Sequence, residues 1–135
     1  MIREPLWLTV DMVRAFHAEQ LHQFGGPEGM RDGGALESAL GRARNRYLYE
    51  RADLAELAAA YAFGIARNHA FVDGNKRTAL VALVTFLRLN GVAFKTGEAE
   101  AVIVIQDLAA GRLDEEGLTE WVRDNWPAGS PLDIG

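Results

Sequence analysis

The feature that most constrains the fold is a capped amphipathic segment in the middle of the chain. Asp53 is followed three residues later by Glu56, which is the spacing of a capping box that opens a helix. After this start, apolar residues recur at spacings of three and four, which places them on one face of a helix: Leu54, Leu57, Ala58, Tyr61, Ala62 and Ile65. The pattern predicts an amphipathic helix with one buried face.

Three further helix starts are marked by residues that can cap a helix N-terminus: Thr9, Asp32 and Asp114. The helix after Thr9 is expected to end at Gly25-Gly26-Pro27, because glycine and proline terminate helices. The apolar residues that these helices are expected to direct to the core are Val13, Phe16, Leu21 and Phe24 in the first, Leu36 and Leu40 in the second, and Leu118, Trp121 and Val122 in the last.

The segment from about Asn75 to Asn90 is predicted to be the central helix of the fold. Residues 78–87 are apolar all the way round, which is typical of a helix wrapped by others. Thr96 is expected to cap a fifth helix from Glu98 to Ala110. The run Val102-Ile103-Val104-Ile105 would suit a strand equally well, because its residues are β-branched.

These patterns predict an all-α protein, a single-domain bundle of about six helices around a central buried helix. The chain has 135 residues, which is enough for one domain with a hydrophobic core and too few for two domains that each have their own core. Residues 1–126 are expected to form the domain. Residues 127–135 carry glycine, proline and serine and are expected to be a frayed tail.

Composition and charge exclude several classes of function. The absence of cysteine excludes a disulfide scaffold, a thiolate metal site and a cysteine nucleophile, and it fits a reducing compartment. A net charge of −5 argues against a general nucleic-acid binder. No apolar run reaches the ~20 residues of a membrane span, and residues 1–5 do not begin a signal peptide. We therefore expect a cytoplasmic protein without direct contact to nucleic acid or membrane.

The segment His69–Thr78 has residue types that a purely structural loop does not require. It lies between two predicted helices, so core packing would hold it from both sides. Gly74 and Asn75 lead into a helix N-terminus, where free backbone N–H groups and the helix dipole attract anions. Lys76 and Arg77 occupy a first turn that normally favours acidic residues, and an anion bound among them is the simplest explanation.

Two further residues of this segment have the chemistry of phosphate transfer. His69 is suited to remove a proton near neutral pH. The carboxylate of Asp73 is suited to a hard divalent cation that also binds phosphate oxygens. Together with the anion site, these residues indicate phosphoryl or nucleotidyl transfer. Each also has a plain structural interpretation: a packed histidine, a turn aspartate and a solvated pair of cations.

The segment resembles the signature of the Fic/Doc family, His-x-Phe-x-Asp/Glu-Gly/Ala-Asn-Gly/Lys-Arg. The residues that fill this signature in order are His69, Phe71, Asp73, Gly74, Asn75, Lys76 and Arg77. Segments 25–32, 36–40 and 86–92 resemble the Doc, or death on curing, branch of the family. The resemblance implies a Fic-like helical fold that binds ATP and Mg²⁺.

The resemblance also implies a role for each signature residue. His69 would be the catalytic base, Asp73 the ligand of Mg²⁺, and Phe71 an anchor in the core. The cradle for the nucleotide phosphates would be formed by Gly74, Asn75, Lys76 and Arg77. The other two histidines of the chain, His17 and His22, are predicted to be structural or surface residues.

Two positions depart from the pattern of the adenylylating Fic enzymes. Those enzymes have a glycine where this chain has Lys76, and a second phosphate-binding arginine where it has Leu80. Doc-type toxins share both changes, which implies that ATP is bound the other way round, with its γ-phosphate presented to the target. The resemblance thus implies a protein Ser/Thr kinase that modifies elongation factor Tu on a threonine and arrests translation.

Two regulatory features follow from the same resemblance. The inhibitory motif of many Fic enzymes, Ser/Thr-x-x-x-Glu-Gly, is not found, so a cognate Phd-like antitoxin acting in trans is expected. Its acidic tail is expected to dock on an arginine cluster that could equally be a solvated face: Arg42, Arg44, Arg46 and Arg51. A flap that holds the target by strand addition is expected at Arg46, Tyr47, Leu48 and Tyr49, although core packing explains the tyrosines equally well.

Two other functions remain open on the sequence alone. A nucleotidyltransferase that adds AMP or UMP to a protein hydroxyl would use the same cradle, and only Lys76 and Leu80 argue against it. A catalytically silent binding module that acts through an antitoxin complex is the third possibility. The presence of both His69 and Asp73 argues against a silent module.

Overall fold

The computed structural model describes residues 4–131. Within this range the chain forms six α-helices: α1 Val10–Phe24, α2 Gly33–Glu50, α3 Leu54–Asn68, α4 Asn75–Leu89, α5 Glu98–Ala109 and α6 Glu115–Asp124. The described residues contain no strand, and their single strand-like feature is an antiparallel bridge between Met30 and Phe71. The predicted all-α class and the predicted number of helices are confirmed.

The predicted caps are present on four helices. The side chains of Thr9, Asp32, Asp53 and Asp114 each accept a hydrogen bond from the backbone N–H three residues later. The capping box is complete, because the side chain of Glu56 also accepts from the N–H of Asp53 at 3.1 Å. These reciprocal bonds satisfy donors that a helix start would otherwise leave free. Local sequence therefore sets where these helices begin.

Helix α5 is an α-helix as predicted, but its N-cap residue differs from the prediction. Its N-cap is Gly97, and the hydroxyl of Thr96 donates to the carbonyl of Gly97 instead of capping the helix, so the prediction of a Thr96 cap is wrong. Residues 102–105 lie within α5, and the alternative of a strand is therefore also wrong. Ile105 is buried against the core, while Val102 and Ile103 face outward, as expected of helical rather than alternating periodicity.

The central buried helix is α3 and not α4, which corrects the prediction. α3 packs against α2, α4, α5 and α6, and only four of its fifteen residues are not buried. Its alanines and Gly64 make it thin, so that neighbouring helices approach it from several sides. Residues 78–87 of α4 are apolar all the way round, but Leu80 is partly exposed because it faces an open groove.

The contact between α2 and α3 leaves no room for a side chain at Gly64. A Cβ atom there would lie 3.0 Å from the Cα atom and 3.1 Å from the carbonyl oxygen of Ala39 on α2, and neither backbone atom can move aside cheaply. We expect Gly64→Ala to lower the free energy of unfolding by about 1–2 kcal/mol, because overpacking outweighs the gain in helix propensity. Urea unfolding measures this change.

Gly41 provides the matched control for this experiment. It also lies within a helix, but a Cβ atom there would meet nothing within 4 Å. Gly41→Ala should therefore raise the free energy of unfolding by roughly 0.5–1 kcal/mol through helix propensity alone. Equal stabilisation by both substitutions would show that the two helices can separate at no cost.

The first helix is less buried than its pattern predicts. Val13 is buried, and Phe16 and Leu21 are partly buried, but the side chain of Phe24 is 57% exposed, so its predicted place in the core is wrong. The last turn of α1 projects beyond the core, and the guanidinium group of Arg77 lies over the Phe24 ring, 4.5 Å from its centroid. Phe24 thus packs against a cation of α4 rather than against apolar side chains.

The described C-terminal residues continue past α6 in a turn. The indole N–H of Trp126 donates to the carbonyl of Ser130, and the N–H of Ser130 donates to the carbonyl of Pro127. The remaining part of the predicted tail, residues 132–135, and the first three residues of the predicted domain lie outside the described residues. No helix formed by residues 4–131 is long and apolar enough to cross a membrane.

Candidate active site

The loop between α3 and α4 begins with a residue in an unusual backbone conformation. His69 is the C-cap of α3 and adopts the left-handed conformation, with φ 50° and ψ 49°. Histidine tolerates this conformation better than most residues that carry a Cβ atom. The turn ends α3 and leaves the imidazole exposed at the edge of the bundle. A base in this position is accessible to a macromolecular substrate.

The loop is held in shape from within by the side chain of Asn75. Its amide oxygen accepts from the N–H of Phe71 at 3.1 Å, and its amide nitrogen donates to the carbonyl of Phe71 at 3.0 Å. Phe71 itself is buried, which confirms its predicted role as a core anchor. The side chain of Asn75 therefore supports the loop, and its place in the phosphate cradle stays a prediction.

A second support comes from His17 on α1, a residue that the sequence patterns did not connect with this loop. The imidazole stacks on Phe71 with ring centroids 3.8 Å apart, and its Nε2 atom lies 2.7 Å from the carbonyl oxygen of Asp73. A carbonyl only accepts, so Nε2 carries the proton and donates. His17 is buried, which agrees with the predicted structural role.

We expect His17→Phe to loosen the loop, because it retains an aromatic ring for the stack on Phe71 but removes the donor to Asp73. The loss of one hydrogen bond should speed amide hydrogen exchange at Val72 by roughly threefold to tenfold. His22→Phe is the matched control, since His22 lies on the same helix and is exposed. Exchange rates that do not differ between the two variants would remove His17 from the support of the loop.

Gly26 lies against the carboxylate of Asp73. A Cβ atom on Gly26 would be 2.6 Å from the Oδ2 atom of Asp73, and the φ angle of Gly26 is +122°, which favours glycine. The loop before α2 is bonded to the same region, since the N–H of Val72 donates to the carbonyl of Gly29 at 3.1 Å. The glycine run predicted as a helix stop therefore also makes room for the carboxylate of Asp73.

The N-terminus of α4 differs from the capped helix starts of the fold. Its N-cap is Gly74 in the left-handed conformation with φ 80°, no side chain caps it, and its first turn contains no acidic residue. Lys76 and Arg77 are exposed in this first turn. The electrostatic potential at the end of the loop is therefore strongly positive. Free N–H groups, the positive end of the helix dipole and two cations all contribute to it.

These groups open into one groove with a volume of about 650 Å³. One end is formed by His69 and residues 72–77, so the structure brings together all six residues predicted to act as base, metal ligand and phosphate cradle. The other end is lined mainly by α4 and α5: Leu80, Val102, Ile105, Gln106 and Ala109. A volume of this size is in the usual range for small-molecule sites.

The segment predicted to form the flap is helical and does not line the groove. Residues 46–49 belong to the last turns of α2, and none of them lines the groove. The prediction of an extended edge here is wrong, because a helix uses its backbone N–H and C=O groups internally and cannot add a strand. Tyr47 packs edge-on against Trp7, with ring centroids 5.4 Å apart, while Leu48 and Tyr49 are exposed.

Two of the four arginines of the cluster are paired with glutamates within the fold. Arg46 is paired with Glu50, Glu56 and Glu115, and Arg42 is paired with Glu115. Burial alone would lower the pKa of Arg46, but its bonds to Glu50 and Glu115 outweigh this effect and raise the pKa above its ordinary value. These two arginines tie α2 to α6. Docking of an antitoxin tail on the cluster stays a prediction.

The groove contains one carboxylate that could hold a magnesium ion. Asp73 supplies a carboxylate at the loop end of the groove. No group of three or more His, Asp or Glu side chains that could hold a metal occurs within residues 4–131. Mg²⁺ is commonly held by one or two carboxylates, water and substrate phosphates, so a single carboxylate beside a phosphate cradle is sufficient.

A family model described as the Fic/DOC family matches residues 7–87 of this chain. The chain belongs to the Fic/DOC family. The matched residues include α1, α2, α3, the loop and nearly all of α4. The Fic/DOC match thus covers the His69–Arg77 side of the groove, whereas the α5 side lies beyond it.

Two curated relatives are similar to more than half of the chain. A protein named "Protein kinase doc" from Escherichia phage P1 is 46% identical over 79 residues, which is 58% of this chain and 63% of that protein. A protein named "Toxin Doc" from Mycolicibacterium smegmatis (strain ATCC 700084 / mc(2)155) is 48% identical over 73 residues, 51% of this chain and 55% of that protein. The matches therefore span less than two thirds of either relative.

Proposed function

We propose that this Fic/DOC protein is a toxin kinase that transfers the γ-phosphate of ATP to a serine or threonine hydroxyl of a protein. The observation that carries the proposal is the composition of the groove. An exposed histidine, a carboxylate and an uncapped helix N-terminus with two cations line the same cavity. Phosphoryl transfer requires these parts in one place, because catalysis consists mainly of positioning and charge stabilisation.

The proposed reaction assigns one task to each side chain. His69 accepts the proton of the target hydroxyl as its oxygen forms a bond to the γ-phosphorus of ATP. The bond between that phosphorus and the bridging oxygen breaks, and ADP leaves with the electron pair. Lys76, Arg77 and the free N–H groups of α4 stabilise the negative charge on the transferred phosphoryl group. Asp73 would hold Mg²⁺, which supplies further charge neutralisation.

Two positions favour a kinase over a nucleotidyltransferase. Lys76 fills a place where a glycine would leave room for an α-phosphate, and Leu80 lines the groove where a second arginine would clamp terminal phosphates. One relative is named a kinase and another a toxin, which agrees with this choice. Adenylylation or uridylylation with the same groove is the second candidate, since the cradle itself suits either reaction.

The proposed target is elongation factor Tu in the cytoplasm, so that phosphorylation arrests translation. The proposed regulator is a cognate Phd-like antitoxin in trans. The "Toxin Doc" relative supports a toxin–antitoxin pairing. Of the four arginines predicted to receive the antitoxin, Arg44 lies over the ring of Trp7, with 5.4 Å to its centroid, and two are paired with glutamates.

Intact-mass analysis tests the proposed reaction directly. Purified elongation factor Tu is incubated with the protein, ATP and Mg²⁺, and its mass is compared with that of a sample lacking the protein. We expect an increase by one phosphate group. An increase by one AMP would establish the nucleotidyltransferase instead. No mass change in this factor, together with no labelling of a whole-cell extract from γ-³²P-ATP, α-³²P-ATP or α-³²P-UTP, would leave only a silent binding module.

A further inference from the structure

Helix α1 lies against the loop and the start of α4 with one of its faces. Three side chains of this face follow each other at spacings of four and three residues: His17, Leu21 and Phe24. The first supports the loop through its stack on Phe71. The second lies beside Gly74, since a Cβ atom on that glycine would be 3.6 Å from its Cδ2 atom. The third reaches Arg77, so this face of α1 contacts the loop, the N-cap of α4 and its first turn.

Phe24 is an aromatic residue whose place is not explained by the core. It is the last residue of α1, and most of its side chain is exposed. The Cζ atom of Arg77 lies over its ring at 4.5 Å from the centroid, which is within the distance at which the face of an aromatic ring attracts a cation. Arg77 lines the groove, whereas Phe24 does not. The ring therefore contacts a cation of the groove from behind.

An aromatic partner leaves Arg77 in a different state from a carboxylate partner. Among residues 4–131, no carboxylate is paired with Arg77, whereas Arg46 is held by three glutamates. A carboxylate would neutralise the charge of Arg77 and would use the N–H donors that a phosphate needs. An aromatic ring attracts the flat face of the guanidinium and leaves the N–H groups at its edge unbonded. The contact with Phe24 is therefore compatible with anion binding by Arg77.

We propose that Phe24 is a positioning residue for Arg77. Its ring holds the guanidinium at the groove, with the charge and the N–H donors available to a phosphate group. This inference rests on the proposed function, because it gives Arg77 a phosphate to bind. It adds that the end of α1 takes part in phosphate binding through Arg77, although Phe24 itself touches no substrate.

Three single substitutions isolate the aromatic ring. Phe24→Leu removes the ring but keeps an apolar side chain, and Phe24→Tyr keeps the ring. Phe63→Leu is the matched control: the guanidinium groups of Arg42 and Arg67 lie over the Phe63 ring at 4.9 and 5.4 Å from its centroid, but Phe63 does not line the groove. Urea unfolding checks that each variant is folded.

Calorimetric titration with inorganic tripolyphosphate and Mg²⁺ measures the effect on anion binding. Phe24→Leu should weaken binding roughly twofold to fivefold, because a cation–π contact of ordinary strength shifts the fraction of correctly placed guanidinium by about this factor. Phe24→Tyr and Phe63→Leu should bind as tightly as the unsubstituted protein. In an Arg77→Gln background, Phe24→Leu should cause no further loss, because the residue through which the ring acts is already absent.

Nuclear magnetic resonance of the Arg77 side chain gives a second readout that needs no ligand. The order parameter of its Nε–H bond should fall in Phe24→Leu, because the guanidinium loses the ring that restricts its motion. The order parameter should be unchanged in Phe24→Tyr and in Phe63→Leu. A general loosening of the fold would lower the order parameters of neighbouring backbone N–H bonds as well, and we expect these to stay the same.

The contrary results separate the positioning role from the proposed function. Equal tripolyphosphate affinities of Phe24→Leu and the unsubstituted protein would overturn the positioning role, and so would a loss that persists in full in the Arg77→Gln background. If tripolyphosphate does not bind to the unsubstituted protein, the inference and the proposed function fail together. The expected variant effects on tripolyphosphate binding, without phosphoryl transfer from γ-³²P-ATP to any protein, would retain the positioning role and reject the kinase.

Discussion

Replacement of His69 by alanine is expected to lower the rate of phosphoryl transfer by roughly 10²–10⁴-fold, the usual contribution of a general base. The reason is positional as well as chemical, since the imidazole lines the groove beside the cradle and is exposed to an incoming hydroxyl. The rate is measured by the transfer of radioactive phosphate from γ-³²P-ATP to the protein target. Growth arrest on expression should disappear in parallel.

A second variant separates chemistry from folding at this position. His69 has a left-handed backbone conformation, which alanine tolerates poorly and asparagine tolerates well. His69→Asn should therefore retain the stability of the unsubstituted protein but lose activity as severely as His69→Ala. His22→Ala, on the exposed face of α1, is the control for the loss of a histidine. Full activity of His69→Asn would assign His69 to the scaffold and remove it from the reaction.

Replacement of Lys76 by glycine is expected to lower phosphoryl transfer by at least 10²-fold, which is typical for the loss of a group that stabilises charge in the transition state. Lys76 is exposed in the first turn of α4, so little packing is lost with it. Lys76→Ala serves as a control that removes the same charge with a smaller cost in helix propensity. Both variants should retain the fold while phosphorylation is lost.

The double substitution Lys76→Gly with Leu80→Arg tests what determines the transferred group. Leu80 lines the groove about one helical turn beyond Arg77, where an added guanidinium could hold the terminal phosphates of ATP. We expect the double variant to label its target from α-³²P-ATP, whereas the unsubstituted protein labels it only from γ-³²P-ATP. Labelling by the unsubstituted protein from α-³²P-ATP but not from γ-³²P-ATP would overturn the kinase assignment.

The local sequence determined the helices of this protein and the composition of its site. Four of the six helix starts are set by side chains that bond to the backbone three residues later, an interaction that involves only neighbours along the chain. The signature His69–Arg77 is contiguous, so its residues had to lie close together in any fold. The structure adds that His69 and residues 72–77 line one cavity.

The hydrophobic periodicity of the sequence did not predict which helix is the most buried. α3 is central because its alanines and Gly64 permit close approach from several sides, and small residues contribute little to a hydrophobic pattern. Residues 78–87 of α4 are apolar all the way round, but one side of the helix faces a groove. The exposure of Phe24 and the helical conformation of residues 46–49 likewise depend on which surfaces the other helices cover.

Only the tertiary structure decided what supports the site and how far the groove extends. His17 bonds to the carbonyl of Asp73, 56 positions away, and Gly26 makes room for the carboxylate of the same residue. Helix α5 forms the far wall of the groove with Val102 and Gln106. Such contacts join distant parts of the chain, and no local pattern encodes them, because they depend on how the helices pack in three dimensions.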